Sequence, residues 1–260
     1  MILVKCNWED DMEITPRLGG IGALAFAATL VAGFAFDGAI AITTGGPPQL
    51  FLSSLSADLT RSGGSAVWRV ELWTYIAAIV PFAFFVPGLR VSLSQRSVAL
   101  ADIGAVTGIL FIVFHTVHNI AYAAIVTGLA PSYVPGTAAG IATEQVARGL
   151  IALAESAFLP GGGIGGALLV AFLGAFGIAQ RREGMRAAGA VALVAAALSA
   201  LGYLGVFVGL LALPIALAGW VGVIAWAAMT GRALLSASAT DSASSRVAPR
   251  SEVAATSRAG

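Results

Sequence analysis

The chain has 260 residues, 58% of them hydrophobic and 10% charged, with 14 Lys and Arg against 13 Asp and Glu. A soluble domain carries about 25% charged residues, so too few are present here to cover a water-facing surface, and a net charge of +1 supplies no basic field for nucleic acid. The single cysteine, Cys6, excludes an intrachain disulfide and a cysteine-based metal knuckle.

Residues 1–17 read as a cytoplasmic N-terminal lead. Met12 stands just before Glu13-Ile14-Thr15-Pro16-Arg17, an ordinary entry to a first helix, so either Met1 or Met12 serves as a start. The apolar run at 18–42 exceeds the 7 to 15 residues, roughly, of a signal-peptide core. It reads as a first span. A spanning helix needs about 20 apolar residues to cross a core of about 30 Å, and runs near 68–89, 98–127, 186–211 and 213–235 meet that need. The interval 142–180 is too long for one crossing and is broken by Pro160-Gly161-Gly162-Gly163. It is expected to be an amphipathic lead-in at 142–158 that enters a span at 160–180.

The expected fold is therefore all-α, a polytopic transmembrane bundle of about six helices over 18–235, with backbone amides satisfied inside each helix. An outer loop at 43–67, carrying Gly45-Gly46-Pro47-Pro48, is too polar to span. It is either a lid over the bundle mouth or a connector with a short surface helix at 50–59. Residues 236–260, rich in Ser, Ala and Arg, read as a disordered cytoplasmic tail. With the N-terminus inside, Lys5, Arg17, Arg90, Arg96, Arg181, Arg182, Arg186, Arg232, Arg246, Arg250 and Arg258 fall on the cytoplasmic side. Only Arg61, Arg69 and Arg148 fall outside, and this imbalance is what the retention of basic residues predicts for a multi-pass protein of the inner (plasma) membrane with both termini cytoplasmic.

Ionisable groups near a span are costly unless paired or hydrated, which makes each a candidate for function. Here they collect toward the outer side, with Asp102 the main exception near the inner boundary. Asp37, Arg69 and Glu71 fit either a ligand site or an interfacial charge network at helix ends, aided by Trp68 and Trp73. The sharpest local signal is Phe114-His115-Thr116-Val117-His118-Asn119, deep in an apolar segment. Residues 111, 115, 118 and 122 share a helical face, so the two imidazoles can share a proton, meet a carboxylate, bind a metal with further ligands, or simply bond neighbouring helices. Two histidines alone make no metal site, and Glu155 is the first donor to expect from another helix. Glu144, Arg148 and Glu155 also share a face, just before the Pro-Gly break. They line a cavity if that helix lies deep, or sit in water if it floats at the interface. Gly104 with Gly108, Gly162 with Gly166 and Gly205 with Gly209 are small-xxx-small spacings that allow close helix packing.

Three stretches carry a family resemblance: "TPRLGGIGALAFAATLVAGF" at 15–34, "AFLPGGG" at 157–163 before "ALLVAFLGAFGIAQRR", and the closing apolar pair with Leu213-Pro214 between its helices. In this layout the chain resembles an uncharacterised family of bacterial six-helix integral membrane proteins known only as a domain of unknown function. The resemblance implies the fold and the membrane, and no reaction or site.

The expected function is a membrane protein that binds or passes a small or amphipathic molecule in an outward-facing cavity near His115, His118, Asn119 and Glu155, with Arg148, Asp37 and Glu71 as further candidates. Two other classes stay open. One is an intramembrane enzyme in which Glu155 or Asp37 acts as acid and a histidine as base on a lipid-like substrate. The other is an accessory subunit whose polar residues meet a partner membrane protein. The sequence names no cofactor and no catalytic residue. Its expected partners are the lipid bilayer, a small-molecule or lipid ligand and a membrane protein.

Overall fold

The first helix starts where the sequence supplies both a cap and a pre-set φ angle. Thr15 Oγ1 accepts the Leu18 amide at 3.3 Å, and Pro16 occupies the first helical position, where no amide is needed. The computed structural model describes residues 15–44, 55–64, 73–74, 76–93, 96–157, 163–208 and 212–247. These form α1 (Pro16–Thr44), α2 (Leu55–Gly64), α3 (Ile79–Ser92), α4 (Val98–Leu129), a 3₁₀ turn (Ala130–Ser132), α5 (Ala138–Ala157), α6 (Gly163–Arg182), α7 (Arg186–Val208) and α8 (Ala212–Val247). No strand occurs among the described residues.

Four stretches are long and apolar enough to cross a membrane: Pro16–Phe36, Val98–Ser132, Ile164–Arg182 and Pro214–Ser238. Ile79–Ser92 and Arg186–Gly202 are shorter apolar helices. Each of the six apolar segments expected from hydropathy thus contains or overlaps a helix. The second of them is described at 73–74 and from residue 76 onward, with α3 running from Ile79, because 65–72 and 75 lie outside the described residues.

These six helices pack side by side in the order α1, α3, α4, α6, α7, α8, and α8 returns to α1 to close the circuit. Large aromatics fill its middle. Phe82 lies 5.0 Å from Phe26 and 5.5 Å from Phe172, and Trp226 lies 5.1 Å from Phe85 and 5.3 Å from Phe172, measured between ring centroids. Outward from the circuit stand Val106, Val194 and Val221, 57%, 58% and 63% exposed, an apolar periphery suited to lipid. Gly104 and Gly108 act as the notches that their spacing suggests. A Cβ at Gly108 would sit 2.6 Å from Phe172 Cδ2, and one at Gly104 would sit 2.9 Å from Phe176 Cδ2, so the two rings of α6 seat against α4 only because these positions are bare. Gly162 and Gly209 lie outside the described residues.

A polar link also crosses the interior. Trp226 Nε1 donates to Gln180 Oε1 at 2.8 Å and Gln180 Nε2 donates to Thr230 Oγ1 at 2.9 Å, tying α6 to α8. All three side chains are fully buried. Ala188, Ala192 and Ala195 of α7 are buried as well, with the Cβ of Ala192 against Gly177 of α6 and that of Ala195 against Gly222 of α8.

The basic turns gather at one end. Arg90 Nε meets Asp102 Oδ1 at 2.6 Å, and the Arg96 amide donates to Glu183 Oε1 at 2.6 Å, so the α3–α4 and α6–α7 turns are joined there. The Arg90–Asp102 side chains are 50% and 45% exposed, which limits such a pair to about 1 kcal/mol or less. Asp102→Asn should accordingly shift the thermal unfolding midpoint in detergent only slightly.

At the opposite end α4, about 48 Å long at 1.5 Å per residue, outruns a bilayer core of about 30 Å. Its last turns carry α2 and α5. Gly136 takes φ of +73°, a left-handed conformation that glycine enters without strain. Thr137 Oγ1 then caps α5 by accepting the Gly140 amide at 3.0 Å. This turn sends α5 back along α4. The expected lead-in at 142–158 is therefore a helix in its own right, packed on α4 and α2, while Pro160, Gly161 and Gly162 lie outside the described residues. Of the expected surface helix at 50–59, residues 50–54 lie outside the described residues and the rest falls within α2, while α8 continues to Val247, past the residue-235 limit set by hydropathy.

Candidate functional site

α2 is a short helix with two adjacent strips, Leu55 and Leu59 on one and Asp58 and Ser62 on the other, each pair one turn apart. The apolar strip docks with Val126 of α4 and Ala147 of α5, and Tyr122, Leu129, Tyr133 and Ile151 pack around them. Docking carries the polar strip inside as well. Asp58 and Ser62 are each 3% exposed, far from the solvated state that a polar loop would give them. The Tyr122 hydroxyl donates to Asp58 Oδ2, which satisfies the carboxylate from α4. Asp58 also sits in the first turn of α2, where the helix dipole favours a negative charge.

His118, Asn119 and Tyr122 lie on one face of α4. The His118 ring is stacked with the Tyr122 ring at 6.5 Å between centroids. Asn119 Nδ2 and Ser62 Oγ are both enclosed and have no hydrogen-bond partner among the described residues. A buried donor without an acceptor costs about 1–3 kcal/mol, so one on each of the two helices joined by the Tyr122–Asp58 bond calls for an explanation. Each can donate a hydrogen bond to an acceptor-bearing group, Asn119 from the face of α4 that carries His118 and Tyr122, and Ser62 from the strip of α2 that carries Asp58.

The other expected residues are distributed around this cluster. His115 turns elsewhere, stacking on Phe111 at 5.4 Å and lying 6.0 Å from Trp220 of α8, within the aromatic interior. The two histidines therefore have different ring partners. Arg148 is bonded to Glu144 within α5, with Nη2 to Oε1 at 2.5 Å and Nε to Oε1 at 3.1 Å, and its side chain is 61% exposed. Glu155 belongs to the last turns of α5. Thr143 Oγ1 donates to the Ser132 carbonyl at 3.3 Å, which fixes the antiparallel register of α4 and α5. Counting equal steps along both helices from that bond brings the backbone of Glu155 level with the stretch between His118 and Tyr122. Asp37 is on α1 near its C-terminal end, and Glu71 lies outside the described residues. Among the described residues no three of His, Cys, Asp and Glu gather closely enough to hold a metal ion.

Sequence reasoning missed Asp58 and Ser62, because 43–67 looked like a polar connector in which an acid is simply hydrated. The signal was present in the pairing of Leu55 with Leu59 beside Asp58 and Ser62. It missed Gln180 too, whose neighbours Arg181 and Arg182 made it look like part of a solvated helix end. Compared with known proteins, the chain matches no family model, no curated protein and no solved structure.

Proposed function

We propose that the chain is an integral protein of the plasma membrane with six spanning helices, both termini and the arginine-rich turns on the cytoplasmic face, that binds the polar head of a small amphipathic molecule between α2, α4 and α5 at its outer end. The observation that carries the binding reading is the enclosed Asn119 Nδ2, without a hydrogen-bond partner among the described residues, on the same face of α4 as His118 and the Asp58-bonded Tyr122. The gathering of Arg90, Arg96, Arg181, Arg182 and Arg186 at the other end supports the orientation. The layout shared with the six-helix family belongs to this proposal for the fold alone.

Two features favour binding at the outer face over passage through the bundle. Phe82, Phe172 and Trp226 occupy the middle of the circuit, where a path would have to run. In addition, Val146, Leu150 and Leu153 form an exposed apolar stripe along α5, 53%, 42% and 66% exposed. That stripe gives α5 an apolar side to set among acyl chains where it runs back beside α4.

Asn119→Leu tests the proposal. With no ligand bound, it removes an unsatisfied buried donor, so the variant is expected to be as stable as the natural protein or more stable by about 1–3 kcal/mol. Native mass spectra from mild detergent should show a stoichiometric small molecule on the natural protein and none on the variant. A bare mass for the natural protein, or a ligand kept by Asn119→Leu, would mean that the cluster is not a binding site.

A further inference from the structure

A crevice of about 470 Å³ opens between α6 and α7 at the basic end, lined by Ile178, Arg181, Arg182, Arg186 and Leu193. Arg181 and Arg182 stand in the last turn of α6, and Arg186 is the first residue of α7. Three guanidinium groups around one opening repel each other unless an anion is shared among them. The nearest carboxylate in sequence, Glu183, is engaged by the Arg96 amide at 2.6 Å. Among the described residues none of the three arginines makes an ion pair. The first turn of α7 also has no acidic residue to meet its positive end.

The lining has a second character. Ile178 is one turn from Arg181 and Arg182 on α6, toward the middle of the bundle, and Leu193 is two turns from Arg186 on α7. Charge thus sits at the mouth and apolar surface lies deeper, in the same groove. A free phosphate would use only the mouth. A phospholipid fits both parts, its phosphate among the arginines and the start of an acyl chain on Ile178 and Leu193.

The geometry points to a specific site for an anionic phospholipid in the α6–α7 crevice, on the face opposite the Asn119 cluster. Its ligand, residues and test are separate from those of the outer cluster, so either can fail alone. The site would hold one lipid of the cytoplasmic leaflet, whose negative surface attracts arginines in this position.

The test uses the full chain, stripped of lipid in neutral detergent, and reads the unfolding midpoint as phosphatidylglycerol, phosphatidylcholine or inorganic phosphate is added. Phosphatidylglycerol should raise the midpoint saturably, and the other two should not. Arg186→Gln should weaken half-saturation about fivefold, the equivalent of about 1 kcal/mol per basic residue near an anionic surface. The triple variant Arg181→Gln, Arg182→Gln, Arg186→Gln should abolish the effect, whereas Arg232→Gln, outside the crevice, should leave it intact. If the triple variant fails to insert, Arg186→Gln and Arg182→Gln decide singly. An equal shift with phosphatidylcholine or with phosphate alone overturns the assignment, as does an undiminished response in the crevice variants.

Discussion

Trp226→Ala is expected to destabilise the protein by about 3 kcal/mol, the low end of the range for removing a buried tryptophan. Trp226 is wholly buried and touches Phe85 and Phe172 from α8. In a bilayer the transfer part of the usual penalty shrinks, because lipid tails are as apolar as the core. What remains is the lost packing and the hydrogen bond that the indole makes to Gln180 Oε1. Trp226→Phe separates these contributions. It keeps most of the volume and removes only the donor, so it should cost about 1–3 kcal/mol. Unfolding in mixed micelles would measure both. Equal stability of all three proteins would show that the centre of the circuit is not packed as described.

Gly19→Leu is expected to cost about as much by the opposite route, since it adds atoms where none fit. A Cβ at Gly19 would lie 2.6 Å from the Cα and 3.0 Å from the carbonyl carbon of Gly88. Both are backbone atoms of α3 and cannot rotate away, so α1 and α3 would have to separate along their whole contact. Overpacking of this kind costs about 1–3 kcal/mol, with backbone-on-backbone cases at the upper end. Gly174→Ala is the matched control. No atom lies within 4 Å of a Cβ there, and relief of glycine's entropy cost should stabilise the helix by about 0.5–1 kcal/mol. Opposite signs at the two positions, read from unfolding midpoints, would locate the α1–α3 crossing at Gly19 and Gly88. A stable Gly19→Leu protein would rule that crossing out.

The parts of this fold that were legible in the sequence are those governed by one-dimensional signals. Length and hydropathy marked the helices that line the circuit, and arginine placement marked the end at which Arg90, Arg96, Arg181, Arg182 and Arg186 collect. The four-residue spacing of Gly104 and Gly108 pointed to close packing, and the two rings of α6 fill those notches. The parts that were not legible depend on what a segment packs against. Asp58 reads as a hydrated acid until Leu55 and Leu59 are known to dock on Val126 and Ala147. His115 and His118 read as a pair because they are three residues apart, yet one stacks on Phe111 and the other with Tyr122. Spacing fixes which face of α4 they share and leaves open which neighbour each one meets. For Glu155 the register gives a level along α5, whereas periodicity alone gave only a face.

The link from Gln180 to Trp226 and Thr230 has a consequence for how the protein is made. Gln180 is synthesised 46 residues before Trp226, and its carbonyl and amide find their partners on α8. Until α8 leaves the insertion machinery, a fully polar side chain on α6 has nothing to bond in the bilayer. The nascent chain therefore holds an unmet demand that α8 fulfils. That same helix also closes the circuit against α1. Docking of α8 and closure of the circuit are in this way a single event, and a product truncated before α8 would leave Gln180 without these two partners.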